Sequence, residues 1–385
     1  MSAPRAREGF VDALRGFALL GIVLVNVPFL ALSPEGYTLA SLATPMDRAA
    51  AFFTVAFAQA KFYLLFAFLF GYSLSFLLDR DDDAQRSRFR RRLLALGLLG
   101  ALHAVLAFVG DILLLYALIG TSLLWLVRWR DAALLRFAGT LLLAWWALYA
   151  LVAWAIDSEA MGADAAVTAG AAPLAFGDLA EALAHGGFLE AAVARLQAWP
   201  EAFGFIAVVN GMAVWAMFAL GLVAGRRRCF ADVERHFVRW RRLAVTGWVL
   251  GLPPALWSAA ASVGGDALAA NDPVALMAVL VGFATAPFLS AAYVASLVLL
   301  HHRWPGALAV FQPAGRMSLT GYLGESIVLS LMFCGYGFAL YAQVGAASAM
   351  AIGVATWLGL DLFSKAWLSR FSQGPFERTL KRFSG

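Results

Sequence analysis

Charge is scarce in this chain of 385 residues: 14% are Asp, Glu, Lys or Arg, while 62% are hydrophobic. Soluble domains carry roughly a quarter charged residues, so composition excludes an ordinary water-soluble globular protein. Cysteine is scarcer still. Cys229 and Cys334 stand far apart and in no Cys-x-x-Cys or Cys/His spacing, which leaves no metal or redox motif. A Walker-type phosphate loop, a Gly-x-Ser-x-Gly elbow and a His-Glu-x-x-His helix are absent too. The first of these absences argues against a self-contained ATP-driven pump. Short alternating apolar runs, the mark of a membrane β-barrel, are also missing.

What the chain does have is long apolar runs, close to the roughly 17–25 residues that a bilayer-spanning helix needs. They predict an all-α, polytopic membrane bundle of about ten helices, at 10–32, 49–78, 93–109, 112–127, 132–156, 203–225, 243–263, 274–300, 317–340 and 346–368. Basic residues outnumber acidic ones, 29 to 24. They gather in short clusters between the apolar runs, which fits membrane orientation and not nucleic-acid binding. With both termini placed in the cytoplasm, 24 of the 29 fall in cytoplasmic segments, Arg48 and Arg195 fall outside, and Arg15, Lys61 and Arg136 lie within or at the ends of helices. No small-residue cleavage site follows the short basic stretch Met1–Gly9, so the first helix is expected to stay as an anchor. The organisation is then a five-helix half over 1–156, an external connection over 157–202 and a second five-helix half over 203–385. The connection carries seven acids and one arginine. Its second half reads as a helix broken at Gly186–Gly187, either lying on the membrane with Leu189, Val193, Leu196 and Trp199 towards lipid or packed over the bundle.

Ionisable side chains inside a bilayer are costly and default candidates for function. Those expected here are Asp12, Arg15, Lys61, His103, Asp111, Glu325 and Asp361, with Asn26 and Asn210 as neutral companions. On the first helix, positions 12, 15, 19, 22 and 26 share one face. Asp12 and Arg15 are close enough to pair, and Asn26 lies roughly 21 Å along the helix from Asp12. A structural ion pair with a helix-packing asparagine explains the same pattern. His103 lies mid-membrane and Asp111 at the tight turn after it. Eight residues of helix would hold them about 12 Å apart, so direct contact needs the turn to fold back; Asp111 can also cap the next helix. A lone histidine is either a hydrogen-bonded core residue or a general base. Lys61 should need an anionic partner, a carboxylate or a bound ligand. Arg316 sits at the mouth of the ninth helix, placed to hold a phosphate, with Glu325 about 12 Å further in. Asp361 stands four residues before Lys365, and a local pair with it accounts for its presence.

The stretches "DALRGFALLGIVLVNVPFL", "RRLLALGLLGALHAVLAFVGDILLLYAL", "AGRMSLTGYLGES" and "GPFERTLKRFSG" resemble the YeiB family of bacterial inner-membrane proteins, the family also known as domain of unknown function 418. The opening Asp-x-x-Arg-Gly is more distantly similar to transmembrane acyltransferases such as the heparan-alpha-glucosaminide N-acetyltransferase group. That resemblance implies acyl transfer from acetyl-CoA or another acyl-CoA, delivered from the cytoplasm, to a cell-envelope glycan, lipid headgroup or small acceptor. In the glycan-modifying acyltransferases a histidine follows the aspartate by fourteen residues, where this chain has Asn26. The lysosomal group places its histidine eleven residues later, where this chain has Tyr37. By that resemblance His103, Asp111 and Asn26 become the catalytic candidates, and Asp12, Arg15 and Arg316 the donor-binding ones. Lys61, Asn210 and Glu325 become polar residues of the pocket, and no metal is expected. The competing readings are a transporter or flippase using Lys61, Glu325 and His103 as its path, and a non-catalytic envelope partner. A transporter should show broken helices at the midplane or symmetry between the halves. The lipid bilayer is the expected partner, nucleic acid is not, and nothing in the sequence excludes a homodimer.

Overall fold

A computed structural model describes residues 3–34, 36–77, 82–157, 176–231, 233–264 and 273–384. Among them there is no strand. The helices are α1 (Ala3–Ala31), α2 (Pro45–Phe53), α3 (Lys61–Leu74), α4 (Asp83–Leu106), α5 (Leu113–Leu126), α6 (Asp131–Asp157), α7 (Phe176–His185), α8 (Phe188–Arg226), α9 (Phe237–Val263), α10 (Pro273–Arg303), α11 (Gln312–Arg316), α12 (Ser318–Phe333), α13 (Ala346–Leu368) and α14 (Pro375–Ser384). Each of the ten predicted stretches is helical in part or whole. Among the described residues seven spans are long and apolar enough to cross a membrane: α1, α2 with α3, α6, α8, α9, α10 and α13. α5 and α12 are shorter apolar helices, and α4 opens on an arginine-rich stretch that holds Arg86, Arg88, Arg90, Arg91 and Arg92. The chain is thus an all-α, multi-pass membrane bundle, as the apolar runs require.

Helix α1 lies at its centre, against α3, α11, α12 and α13. The approach to α11 is very close: a Cβ at Gly16 would meet the Phe311 carbonyl, and one at Gly315 the Asp12 carbonyl. The α3–α8 crossing is built the same way. A Cβ on Gly71 would stand 2.1 Å from the Phe218 oxygen, and one on Gly221 2.0 Å from the Phe68 oxygen. Lipid tails compete with leucine for apolar contact, so membrane helices associate through small residues that admit close backbone packing.

Two predicted helices are corrected by the structure. The helix expected over 49–78 is broken. α2 runs into a π-helical turn at Thr54–Ala58, Gln59 turns extended, and Ala60 takes a left-handed φ of 66° before α3 starts at Lys61. The break lies beside Gly21, where the Phe62 ring packs, near the middle of the α1 span Gly9–Ala31. Its freed carbonyls are satisfied internally, as a bilayer demands: Lys61 Nζ donates to Val55 O at 2.9 Å, and the Tyr293 hydroxyl to Phe57 O at 2.8 Å. The helix expected over 317–340 ends at Phe333, because residues 334–345 turn back on it through Tyr341 N to Phe333 O at 2.9 Å.

The segment that was expected to lie separately before 203 is continuous with the span that follows it. α8 runs unbroken for 39 residues through Pro200, with Leu189, Val193 and Leu196 exposed. Its first turns and α7 cover the 334–341 turn: Gly335 N donates to Leu183 O at 2.8 Å, and the Phe188 ring meets Tyr336 edge-on, centroids 5.4 Å apart. At the other end of the bundle α14 holds the start of α12. Glu377 Oε1 accepts from Leu319 N and Thr320 N at 2.8 and 3.0 Å, and its Oε2 accepts from the Thr320 hydroxyl. A carboxylate there suits the positive end of a helix dipole.

Replacing Gly221 by Val should abolish folded protein, because the clash is with backbone, whereas Gly139→Val should be tolerated, since nothing lies within 4 Å of that position. Monodispersity of the two detergent-extracted variants on gel filtration checks this; equal behaviour would refute the close α3–α8 packing.

Candidate functional site

The site is made where α4, α5 and α12 meet. α4 loses its helix at Ala107, whose φ is −128°. The Ala107 and Phe108 amides both bond back to the His103 carbonyl at 2.9 Å, so the chain folds over the helix end instead of continuing it. A Cβ at Gly100 would lie 2.6 Å from Leu114 N and 2.7 Å from Asp111 Oδ1, so only glycine lets α5 begin this close to α4. The consequence corrects the helical estimate of separation. His103 Nδ1 and Asp111 Oδ2 are 2.8 Å apart, with both side chains almost fully buried.

Asp111 does two things at once. Its Oδ1 accepts from Leu114 N at 3.0 Å, capping α5, while Oδ2 takes His103 and, at 3.3 Å, the hydroxyl of Tyr322. The Tyr322 ring also lies against the imidazole, centroids 5.1 Å apart. With Nδ1–H donating to the carboxylate, the lone pair of the imidazole is on Nε2. Nε2 is buried and has no hydrogen-bond partner among the described residues. One turn beyond Tyr322 on α12, Glu325 Oε1 is likewise buried and without a partner. Ser330 ties the same helix to the turn by donating to Ala107 O at 2.8 Å.

The other predicted residues fall around this centre. Arg15 donates from Nη1 to Asp12 Oδ1 at 2.8 Å and from Nη2 to the Ser73 hydroxyl on α3 at 2.5 Å. Leu19, on the same stripe, touches the Gly321 position of α12, and Asn26 follows two turns later, half-buried. Among the described residues no carboxylate pairs with Lys61; its ammonium donates to the Val55 carbonyl, which the helix break makes available. Asp361 Oδ1 accepts from Ala314 N at 2.9 Å, so it caps α11 rather than forming a contact ion pair with Lys365. Arg316 is exposed at the end of α11. Asn210 follows Val209, whose carbonyl accepts from Trp145 and Tyr149, and its Oδ1 is buried without a partner among the described residues. Tyr37 is no substitute for the missing histidine, since burial pushes its hydroxyl up to about 12, with a smaller opposing pull from Thr54.

Two residues escaped the sequence reading. Tyr322 was visible only as a polar group three before Glu325 on one helix face. Arg195 was placed in an external loop, yet it is 1% exposed. Its guanidinium donates to Leu106 O at 3.2 Å and to Cys334 Sγ and the Tyr336 hydroxyl at 3.3 Å, clamping α8 to the turn above His103. Among the described residues no group of three or more His, Cys, Asp or Glu side chains could hold a metal ion.

A family model described as "Protein of unknown function (DUF418)" matches residues 224–384. Over a longer stretch, the protein YxaH of Bacillus subtilis (strain 168) is 30% identical across 394 residues, covering 96% of this chain and 92% of that protein. The chain belongs to the YeiB-like DUF418 family. YeiB of Escherichia coli (strain K12), 28% identical over 385 residues, covers 96% of the chain and 94% of its own length. YxaH and YeiB both carry the description "uncharacterized". No solved structure matches the chain. The DUF418 match takes in Tyr322, Glu325 and Glu377. The His103–Asp111 side of the site lies before it, in the part reached by the longer alignments to YxaH and YeiB.

Asp111→Ala should lower stability by about 3 kcal/mol, because it strips both a helix cap and a buried imidazole of their partner. Asp111→Asn, which keeps an acceptor for Leu114 N, should cost about 1 kcal/mol. Equal losses in a thermal or denaturant melt would contradict the double role.

Proposed function

We propose that the chain is an integral membrane acyltransferase, dependent on acetyl-CoA or another acyl-CoA, acting at the bacterial inner membrane on a cell-envelope glycan, a lipid headgroup or a small acceptor. The observation that supports this reading is the buried His103–Asp111 pair with its unpartnered Nε2. An aspartate that fixes the tautomer through Nδ1 leaves Nε2 as a general base, the same division of labour as in hydrolytic triads. Nε2 takes the proton of the acceptor hydroxyl or amine as the acceptor atom bonds to the acyl carbon. The carbon–sulfur bond of the thioester then breaks, and the imidazolium returns the proton to the departing thiolate. Asn26 is the candidate donor to the oxyanion. The surrounding lipid and packed helices keep water from competing as acceptor.

The broken helix α2–α3 favours a second reading, a transporter or flippase of a small molecule or lipid. Interrupted helices near mid-membrane are a mark of such proteins, and Lys61 sits at the interruption. One experiment separates the two. Membranes enriched in the protein are given radiolabelled acetyl-CoA, and label in lipid, glycan and small-molecule fractions is counted. Acyl transfer should fall roughly 10²–10⁴-fold with His103→Ala. Transfer that survives the substitution would remove His103 from the mechanism, and no transfer at all would leave the transport reading in possession.

The arginine distribution supports an orientation with both termini in the cytoplasm, which places Cys229 on the cytoplasmic side. Burial pushes its thiol above the ordinary value despite the neighbouring Arg227. A membrane-impermeant maleimide should therefore leave intact spheroplasts unlabelled and label inverted vesicles, at a rate that keeps climbing as pH rises beyond the usual thiol range. Cys334, fully buried, should stay silent in both. Labelling of Cys229 in intact spheroplasts would reverse the orientation.

A further inference from the structure

The stretch "GPFERTLKRFSG" takes no part in the chemistry proposed above. It forms α14, and α14 joins two places in the bundle. Near its start Glu377 holds the first amides of α12, and Phe376 N donates to the Thr320 hydroxyl at 3.3 Å. At its other end the Ser384 carbonyl accepts from Arg91 of α4, from Nε at 3.3 Å and from Nη2 at 3.1 Å. Phe376, Leu380 and Phe383 follow steps of four and three and share one helix face. Phe376 and Leu380 pack into the bundle, whereas Phe383 is 67% exposed. The apolar stripe of α14 therefore runs off the protein in its last turn.

It runs off at the edge of the membrane. On α4, Arg91, Leu94, Leu98 and Leu102 form one stripe in steps of three, four and four. The three leucines are exposed, and exposed leucines on a membrane bundle face lipid tails. Arg91 precedes Leu94 by about 4.5 Å of helix. This sets its guanidinium, and the Ser384 carbonyl that it holds, at the headgroup layer. Around that contact stand Arg88 and Arg90 of α4 and Lys381 and Arg382 of α14, all exposed. Among the described residues none of these four is in an ion pair. The described acids near them in the chain are engaged elsewhere. Asp82 caps α4 through Gln85 N at 3.0 Å, Asp83 lies 3.9 Å from Arg86, and Glu377 is bound to α12. Lys381 and Arg382 lie about 100° and 160° around α14 from the buried Leu380, so the basic side of the helix is turned away from the protein.

We propose that α14 is an interfacial helix that docks on anionic lipid: Phe383 enters the boundary of the acyl chains, and Arg88, Arg90, Lys381 and Arg382 hold the phosphates of the surrounding headgroups. Cations beside an exposed aromatic at the headgroup layer are the means by which a surface-lying helix binds a negatively charged leaflet. Lipid bound there also braces the candidate site. α14 holds the start of α12, and α12 presents Tyr322 to His103 and Asp111, so fixing α14 fixes the first turn of the helix that completes the site. The inference stands apart from the acyl-transfer reading and holds whatever the site does.

The test uses the full-length protein in nanodiscs of phosphatidylcholine, with and without phosphatidylglycerol, and reads amide hydrogen exchange in α14 and in the first turn of α12. Phosphatidylglycerol should slow exchange in both segments by about fivefold or more, the factor that one basic side chain near an anionic surface contributes. High salt should weaken the slowing. Lys381→Gln combined with Arg382→Gln should exchange like the parent in phosphatidylcholine, since both side chains are exposed and unpaired, and should lose most of the response to phosphatidylglycerol. Arg241→Gln combined with Arg242→Gln, an equal loss of exposed charge on α9, should keep it. Equal loss in the two double variants would reduce the effect to bulk charge and overturn the docking site. So would the absence of any response to phosphatidylglycerol, or the same slowing from inorganic phosphate added to phosphatidylcholine discs. Slowing confined to α14 would keep the lipid contact and overturn the brace on α12.

Discussion

Inside a bilayer there is no water to satisfy a stray donor or acceptor, and each one left unpaired costs several kcal/mol. This constraint orders the whole molecule. It explains why the freed carbonyls at the α2–α3 break are met by Lys61 and Tyr293. It explains why Asp361 caps α11 and why Trp145 and Trp146 donate to the backbone carbonyls of Val209 and Ala284. Where nearly every polar group is answered, the few that are not become informative. His103 Nε2 and Glu325 Oε1 are two of them, and both belong to the helices that form the candidate site.

The site depends on backbone choices more than on its own side chains. Gly100 lets the start of α5 close on α4, and the chain reversal at Ala107 brings Asp111 under His103. α12 is held at one end by Glu377 from the C-terminal helix and at the other by Ser330 against the Ala107 carbonyl. Tyr322 is therefore presented to the imidazole by a helix clamped at both termini. Above it Arg195 fastens α8 to the turn that follows α12. Groups meant to exchange a proton have to be held in place in this way, because a misplaced base loses most of its advantage.

The bundle has two polar regions of different character. One joins His103, Asp111 and Tyr322 on the α4–α5–α12 side, with Glu325 one turn further along α12. The other is the helix interruption at Gln59–Ala60 with Lys61, reached from α1 through Gly21 and Phe62. The two are joined through α5, the helix that Asp111 caps: its Tyr116 hydroxyl donates to the Tyr63 carbonyl at 2.6 Å, two residues after Lys61.

The membrane class, the all-helical architecture and most of the helix positions were legible in the amino-acid sequence. Long apolar runs punctuated by arginine clusters admit no other solution in lipid. The pairing of Asp12 with Arg15 was legible too, because residues three apart on a helix are neighbours whatever the surroundings. What the sequence could not supply was anything that depends on a departure from regular helix. Helical arithmetic set His103 and Asp111 about 12 Å apart, and the reversal at Ala107 made them partners. It gave Lys61 an unbroken helix and an anion, where the π-turn and the left-handed Ala60 gave it a carbonyl. It left Arg195 in a loop, where tertiary packing buried it. Regular periodicity is a local property and can be read from one strand of text; the contacts that make a site arise where the chain bends, and only the packed bundle decides where that is.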